Sequence, residues 1–123
     1  MGFIEAVRTC FGKFAGFSGR ARRAEYWWFT LFIMIIYLLT TWIDGLWTIE
    51  PDPELVPYVT LIVALLLLLP SLAVSIRRLH DTDRSGWWYL ISLVPFLGNI
   101  ILIIFFATRG TNGPNRFGPD PLG

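Results

Sequence analysis

The sequence predicts an all-α integral membrane protein, and three observations carry that prediction. Of the 123 residues, 54% are hydrophobic and only 15% are charged, against about 25% charged in an ordinary soluble domain. Three stretches contain no charged side chain: Tyr26 to Ile43 (18 residues), Tyr58 to Ile76 (19) and Trp87 to Ala107 (21). At about 1.5 Å per residue each reaches roughly 27 to 31 Å, the thickness of a bilayer's hydrocarbon core. Lipid offers the backbone no hydrogen-bonding partner, so each stretch has to be helical. A chain of this length forms a single membrane domain over residues 1–123.

Residues 3–14 come first. At 100° per residue, Phe3, Ile4, Ala6, Val7, Cys10, Phe11 and Phe14 share one side, and Glu5, Arg8, Thr9 and Lys13 share the other. Such a helix lies in the membrane interface or packs the same face on the bundle. Cys10 is the only cysteine, which leaves no intrachain disulfide and no thiolate metal cluster; it reads as a small apolar residue. Ser18 is a plausible cap for the first span. Trp27, Trp28, Trp87 and Trp88 mark where two spans enter the membrane, and Trp42 and Trp47 mark the opposite boundary. Pro70 and Pro95 should kink the second and third spans, freeing carbonyls for Ser71, Ser75, Ser92 or Asn99. The tail, residues 108–123, is TRGTNGPNRFGPDPLG, whose composition indicates turns or disorder. No cleaved signal is expected, because TTWIDGLW after the first run has no small-x-small site.

Charge sets the expected orientation. Arg8, Lys13, Arg20, Arg22 and Arg23 precede the first span, and Arg77, Arg78 and Arg84 sit between the second and third. The linker between the first two spans holds Asp44, Glu50, Asp52 and Glu54 with no Lys or Arg. Basic residues near span ends mark the cytoplasmic side, so the N-terminus is expected inside. Three full spans would put the tail, with Arg109 and Arg116, outside. A re-entrant hairpin broken at Pro95 and Gly98 in LVPFLGNI would return it to the cytoplasm. Irregular backbone at depth needs protein or a wet cavity around it, so a full span kinked at Pro95 is the expected form.

Chemistry has few places to reside. With one His and one Cys there is no metal-ligand spacing, no phosphate loop is present, and no cofactor is expected. Ser85 and His80 lack a third orienting group, so an enzyme is not expected. The spans carry no Asp, Glu, Lys, Arg or His, the residues that usually mark a pump or voltage sensor at membrane depth. What remains is the cytoplasmic rim. Arg20, Arg22, Arg23 and Glu25 lead into the first span, and RRLHDTDRSGWW at 77–88 supplies Arg77, Arg78, His80, Asp81, Asp83 and Arg84. As a topological clamp, these charges only hold the inner side. The sharper reading is a binding site for an anionic lipid head group or a partner protein, built from arginine forks and oriented by the acids. A tail on the same side would add Asn115, Arg116 and Asp120.

FSGRARRAEYWWF at 17–29, RRLHDTDRSGWW at 77–88 and NGPNRFGPDP at 112–121 resemble, in order, the three signature stretches of the YhaH-like family. These are small bacterial inner-membrane proteins filed as a domain of unknown function. The resemblance covers nearly the whole chain. It implies a multi-pass protein of the bacterial plasma membrane with no established activity. It also implies that the tail is a motif, not a disordered end. Asp83 departs from the family pattern, which has glycine there. The sequence thus points to a non-enzymatic membrane component whose rim binds anionic lipid or a membrane-protein partner, with no role for nucleic acid. The alternative is a small transporter or channel subunit acting as a homo-oligomer.

Overall fold

A computed structural model describes residues 1–122. In chain order these form α1 (Phe3–Gly12), α2 (Arg23–Ile43), α3 (Tyr58–Asp81), a 3-10 helix (Gly86–Leu93) and α4 (Leu97–Ala107). Among the described residues, α2 and α3 are the two helices long and apolar enough to cross a membrane; α4 is apolar but shorter. Both long helices leave large side chains uncovered, among them Leu38, Leu39, Ile62, Leu65, Leu66 and Leu68. A helix apolar on all sides is a helix for a core or for lipid, and these have no protein core around them.

The 24 residues of α3 span about 36 Å, more than a hydrocarbon core of about 30 Å. The excess carries charged residues of the second signature stretch. The expected span ended at Ile76, whereas the helix continues through Arg77, Arg78, Leu79, His80 and Asp81. These side chains therefore project from a rigid helix, and the connecting turn shrinks to Thr82–Ser85. Pro70 lies inside α3 without interrupting it. Ser75 donates to the Ser71 carbonyl (2.8 Å), not to the carbonyl that a proline at 70 leaves free four residues earlier.

At the far end Asp44 ties α2 to α3. Its carboxylate accepts the backbone N–H groups of Val59 (3.1 Å) and Thr60 (2.8 Å) and the Thr60 hydroxyl (2.7 Å). An acid that closes the last turn of one helix thereby caps the first turn of the next. Its desolvation works to raise the pKa, but the hydrogen bonds from Thr60 and Val59 prevail and hold it below the usual carboxylate range.

α1 spends much of its apolar face on the bundle. Ala6 and Cys10 are buried, Phe3 meets Trp28 edge-on, and Phe11 meets Phe29 and Phe32 the same way. Ile4 and Phe14 stay uncovered. The cap expected from Ser18 does not form: α2 starts at Arg23 behind Arg22, with no side-chain cap.

The third apolar stretch departs most from the kinked span expected over 87–107. It is two short helices folded against each other. Arg84 lies over the Phe105 ring (3.9 Å), Trp88 meets Phe105 edge-on, and Ile91 approaches Gly98. The second helix thus runs back along the first, and both ends lie beside the charged end of α3. Three local causes produce the reversal. Pro95 has no N–H to continue a helix, Phe96 is left-handed at φ 63, and the Ile91 carbonyl occupies the space where a Cβ on residue 98 would stand.

Candidate functional site

The reversal brings the three signature stretches together at one end of the molecule. Asp81 is the centre, 4% exposed. Its Oδ1 accepts from Arg20 Nε (2.9 Å) and its Oδ2 from Arg78 Nη1 (2.5 Å). The two guanidinium groups spend their other donors on backbone carbonyls. Arg78 reaches Phe106 (3.0 Å), Ala21 (3.4 Å) and, in a short contact, Thr108. Arg20 reaches Thr111 (2.6 Å), Gly113 (2.7 Å), Gly118 (3.3 Å) and the Asp81 carbonyl (3.4 Å). Arg20 comes from the first signature, Asp81 and Arg78 from the second, and most of the carbonyls from the region leading into and through the third.

The tail is ordered by this contact. Thr111 N–H donates to the Asp81 carbonyl (2.7 Å), and Asn115 Nδ2 donates to the His80 carbonyl (2.9 Å). The Phe117 ring stacks flat on His80, with centroids 4.1 Å apart and planes within 3°. His80 Nδ1 lies 2.9 Å from the Gly19 carbonyl. A carbonyl only accepts, so Nδ1 carries the hydrogen. Asp120 accepts the N–H groups of Leu122 and Gly113, and those two bonds hold its carboxyl below the usual range. A Cβ at position 110 would overlap the Asp81 carboxylate, so only glycine lets the backbone pass this close.

A second buried pair lies beside the first. Arg77 Nη1 meets Glu25 Oε1 at 2.6 Å, with the side chains 0% and 4% exposed. Cys10 Sγ stands 3.9 Å from the same oxygen. Burial, then the charge of Glu25, pushes the Cys10 thiol up to about 12, so it stays protonated and is no nucleophile. The remaining Arg77 donors, Nε and Nη2, are buried and have no partner among the described residues.

The rim residues thus divide into two groups. Arg20, Glu25, Arg77, Arg78, His80 and Asp81 are buried and hold the chain to itself. Arg22, Arg23 and Arg84 stay at the surface or half-buried. Arg23 donates to the Ala107 carbonyl (3.2 Å) and Arg84 covers the Phe105 ring, but neither has an acidic partner among the described residues. Arg116 pairs with Asp83 in the open (3.2 Å; side chains 61% and 48% exposed). The Arg20 and Arg78 acceptors were absent from the sequence reading, because a main-chain carbonyl has no signature of its own. Phe117 was missed as well, although its place inside NGPNRFGPDP was a usable signal.

Asp83 has φ 59, a conformation that costs most side chains about 1 to 2 kcal/mol and glycine nothing. The glycine that the resemblance implies for the family would take this geometry freely, and aspartate is among the few other residues that tolerate it. Asp83→Gly is expected to equal or exceed the parent in thermal stability, since the exposed ion pair it removes contributes below about 1 kcal/mol. Asp83→Ala should lose about 1 kcal/mol. Melting curves of the purified variants in detergent check both.

The family model described as protein of unknown function (DUF805) matches residues 14–119. Inner membrane protein YhaI of Escherichia coli (strain K12) is 49% identical over 109 residues, covering 89% of this chain and 88% of that protein. Inner membrane protein YhaH of the same strain is 46% identical over 111 residues, covering 89% of each. No solved structure matches the chain. The chain belongs to this family of inner-membrane proteins of unknown function.

Proposed function

We propose that the chain is a non-enzymatic component of the bacterial inner membrane that uses its cytoplasmic rim to hold anionic lipid head groups. α2 and α3 cross the bilayer in this reading. The 3-10 helix and α4 enter it from the cytoplasm and return, so N-terminus and tail share one side. The observation that carries the proposal is the division of the rim cations. Arg20, Arg77 and Arg78 are spent inside the fold. Arg22, Arg23, Arg84 and Arg109 have no acidic partner among the described residues and stand around the start of α2 and the end of α4. Juxtamembrane cations attract anionic leaflets by about 1 kcal/mol each. The Arg22 Nε is buried and has no partner among the described residues, a donor that a phosphate would satisfy.

The topology and the head-group claim have separate tests. A cysteine at the exposed, unbonded Asn112 should resist an impermeant maleimide in intact spheroplasts and react once the membrane is opened; Cys10 is buried and stays silent. Labelling from the periplasmic side would refute the shared side. Exchanging Arg22 and Arg23 for Gln should cut the preference for phosphatidylglycerol over phosphatidylcholine by about tenfold, the sum of two such attractions being about 2 kcal/mol before screening. An unchanged preference with an unchanged melting curve would refute lipid binding and leave a protein partner as the use of this surface.

A further inference from the structure

We propose that the groove between α3 and the 3-10 helix is a phospholipid site that selects head groups able to donate a hydrogen bond. The groove has a volume of about 440 Å³ and runs from the rim toward the bilayer interior. Leu72, Ile76 and His80 line it from α3. Spaced four residues apart, they form one stripe about 12 Å long. Leu90 faces them from the other wall, with Ser85 and Tyr89. The groove is thus apolar along its length and polar toward the rim, the pattern of an acyl chain joined to a head group.

His80 makes the site specific. It is 8% exposed, and its Nδ1–H is already spent on the Gly19 carbonyl. Burial holds the His80 pKa below that of a free imidazole, and the neutral ring offers Nε2 as an acceptor only. That nitrogen has no partner among the described residues, although His80 lines the groove. Phe117, stacked flat on this ring, keeps the imidazole from turning. A ligand that satisfies Nε2 must bring an N–H or O–H. Phosphatidylethanolamine and phosphatidylglycerol have one, and phosphatidylcholine has none. Ser85 Oγ accepts from Trp87 N–H (3.2 Å) but keeps its own hydrogen, and Tyr89 makes no side-chain hydrogen bond among the described residues; both can donate to ester or phosphate oxygens.

The inference rests on the membrane placement proposed above, but not on its anionic selectivity. The test loads the full chain into detergent micelles with phosphatidylethanolamine, phosphatidylglycerol or phosphatidylcholine and counts retained lipid by native mass spectrometry. The first two should be retained about tenfold better than the third, the value of one hydrogen bond. His80→Phe keeps the stacked ring and should erase that difference, while His80→Gln, which retains an acceptor, should restore part of it. Leu72→Trp fills the groove and should abolish retention of all three; Leu90→Trp does the same from the opposite wall if the first variant fails to fold. Equal retention of phosphatidylcholine, or full retention in a folded groove-filled variant, would overturn the proposal. Phosphatidylethanolamine carries no net charge, so its retention reports on the groove independently of Arg22 and Arg23.

Discussion

Replacing Asp81 with alanine is expected to lower stability by about 3 to 5 kcal/mol, the range for removing one partner of a buried ion pair. The upper end applies here, because one carboxylate serves two guanidinium groups, Arg20 and Arg78. Both would remain desolvated beside each other with no counter-charge. The relief available to the chain is to let water in, and the tail is the part that can leave. Thermal unfolding in detergent should show the loss of stability, and limited trypsin digestion should show early cleavage after Arg109 or Arg116. Arg116→Ala is the contrasting variant. Its pair with Asp83 is open to solvent, and such pairs contribute about 0 to 1 kcal/mol. Equal melting temperatures for Asp81→Ala and Arg116→Ala would contradict the buried arrangement described here.

The second large effect is expected at Gly98. A methyl group there would penetrate the Ile91 carbonyl, which is backbone and has no rotamer to yield. Overpacking of this kind costs about 3 kcal/mol or more when the neighbour cannot move. Gly98→Ala should therefore force the two short helices apart, and the unfolding midpoint records the cost. The Asn112 label adds a sharper readout. If the pair opens into one long kinked helix, the tail passes to the other side of the membrane and the label becomes accessible from the periplasm. Gly12→Ala serves as control, since nothing lies within 4 Å of the added atom, and alanine is the better helix former by about 1 kcal/mol.

The helical character of the chain and its apolar stretches were legible because charge-free length is a direct physical requirement of crossing lipid. The hairpin was harder to read. Pro95 and Gly98 were visible as breakers, but a kink and a reversal use the same residues. What decides between them is the close approach of Ile91 to Gly98 and the left-handed turn at Phe96, neither of which has a periodicity. Arg77 and Arg78 were read as ending a span and facing the rim. Arg77 is buried because Glu25 of α2 lies opposite it, a matter of helix rotation, whereas Arg78 meets Asp81 one turn along the same helix, and Arg20 reaches that carboxylate from outside it. The tail shows the limit most clearly. Its composition is that of a disordered segment, yet Arg20 and Arg78 supply the hydrogen bonds that its own residues lack.

Arg20 also ties together parts of the chain made at very different times. Its guanidinium meets the Thr111, Gly113 and Gly118 carbonyls across 91, 93 and 98 residues of sequence. During synthesis, α1, α2 and α3 are complete before any of those carbonyls leaves the ribosome. Until then Arg20 and Arg78 have Asp81 but few of their other acceptors, and only water can stand in for them. Thr111, Gly113 and Gly118 therefore close the cluster last. A polypeptide that stops short of Thr111 leaves Arg20 without these three acceptors and its guanidinium open to water.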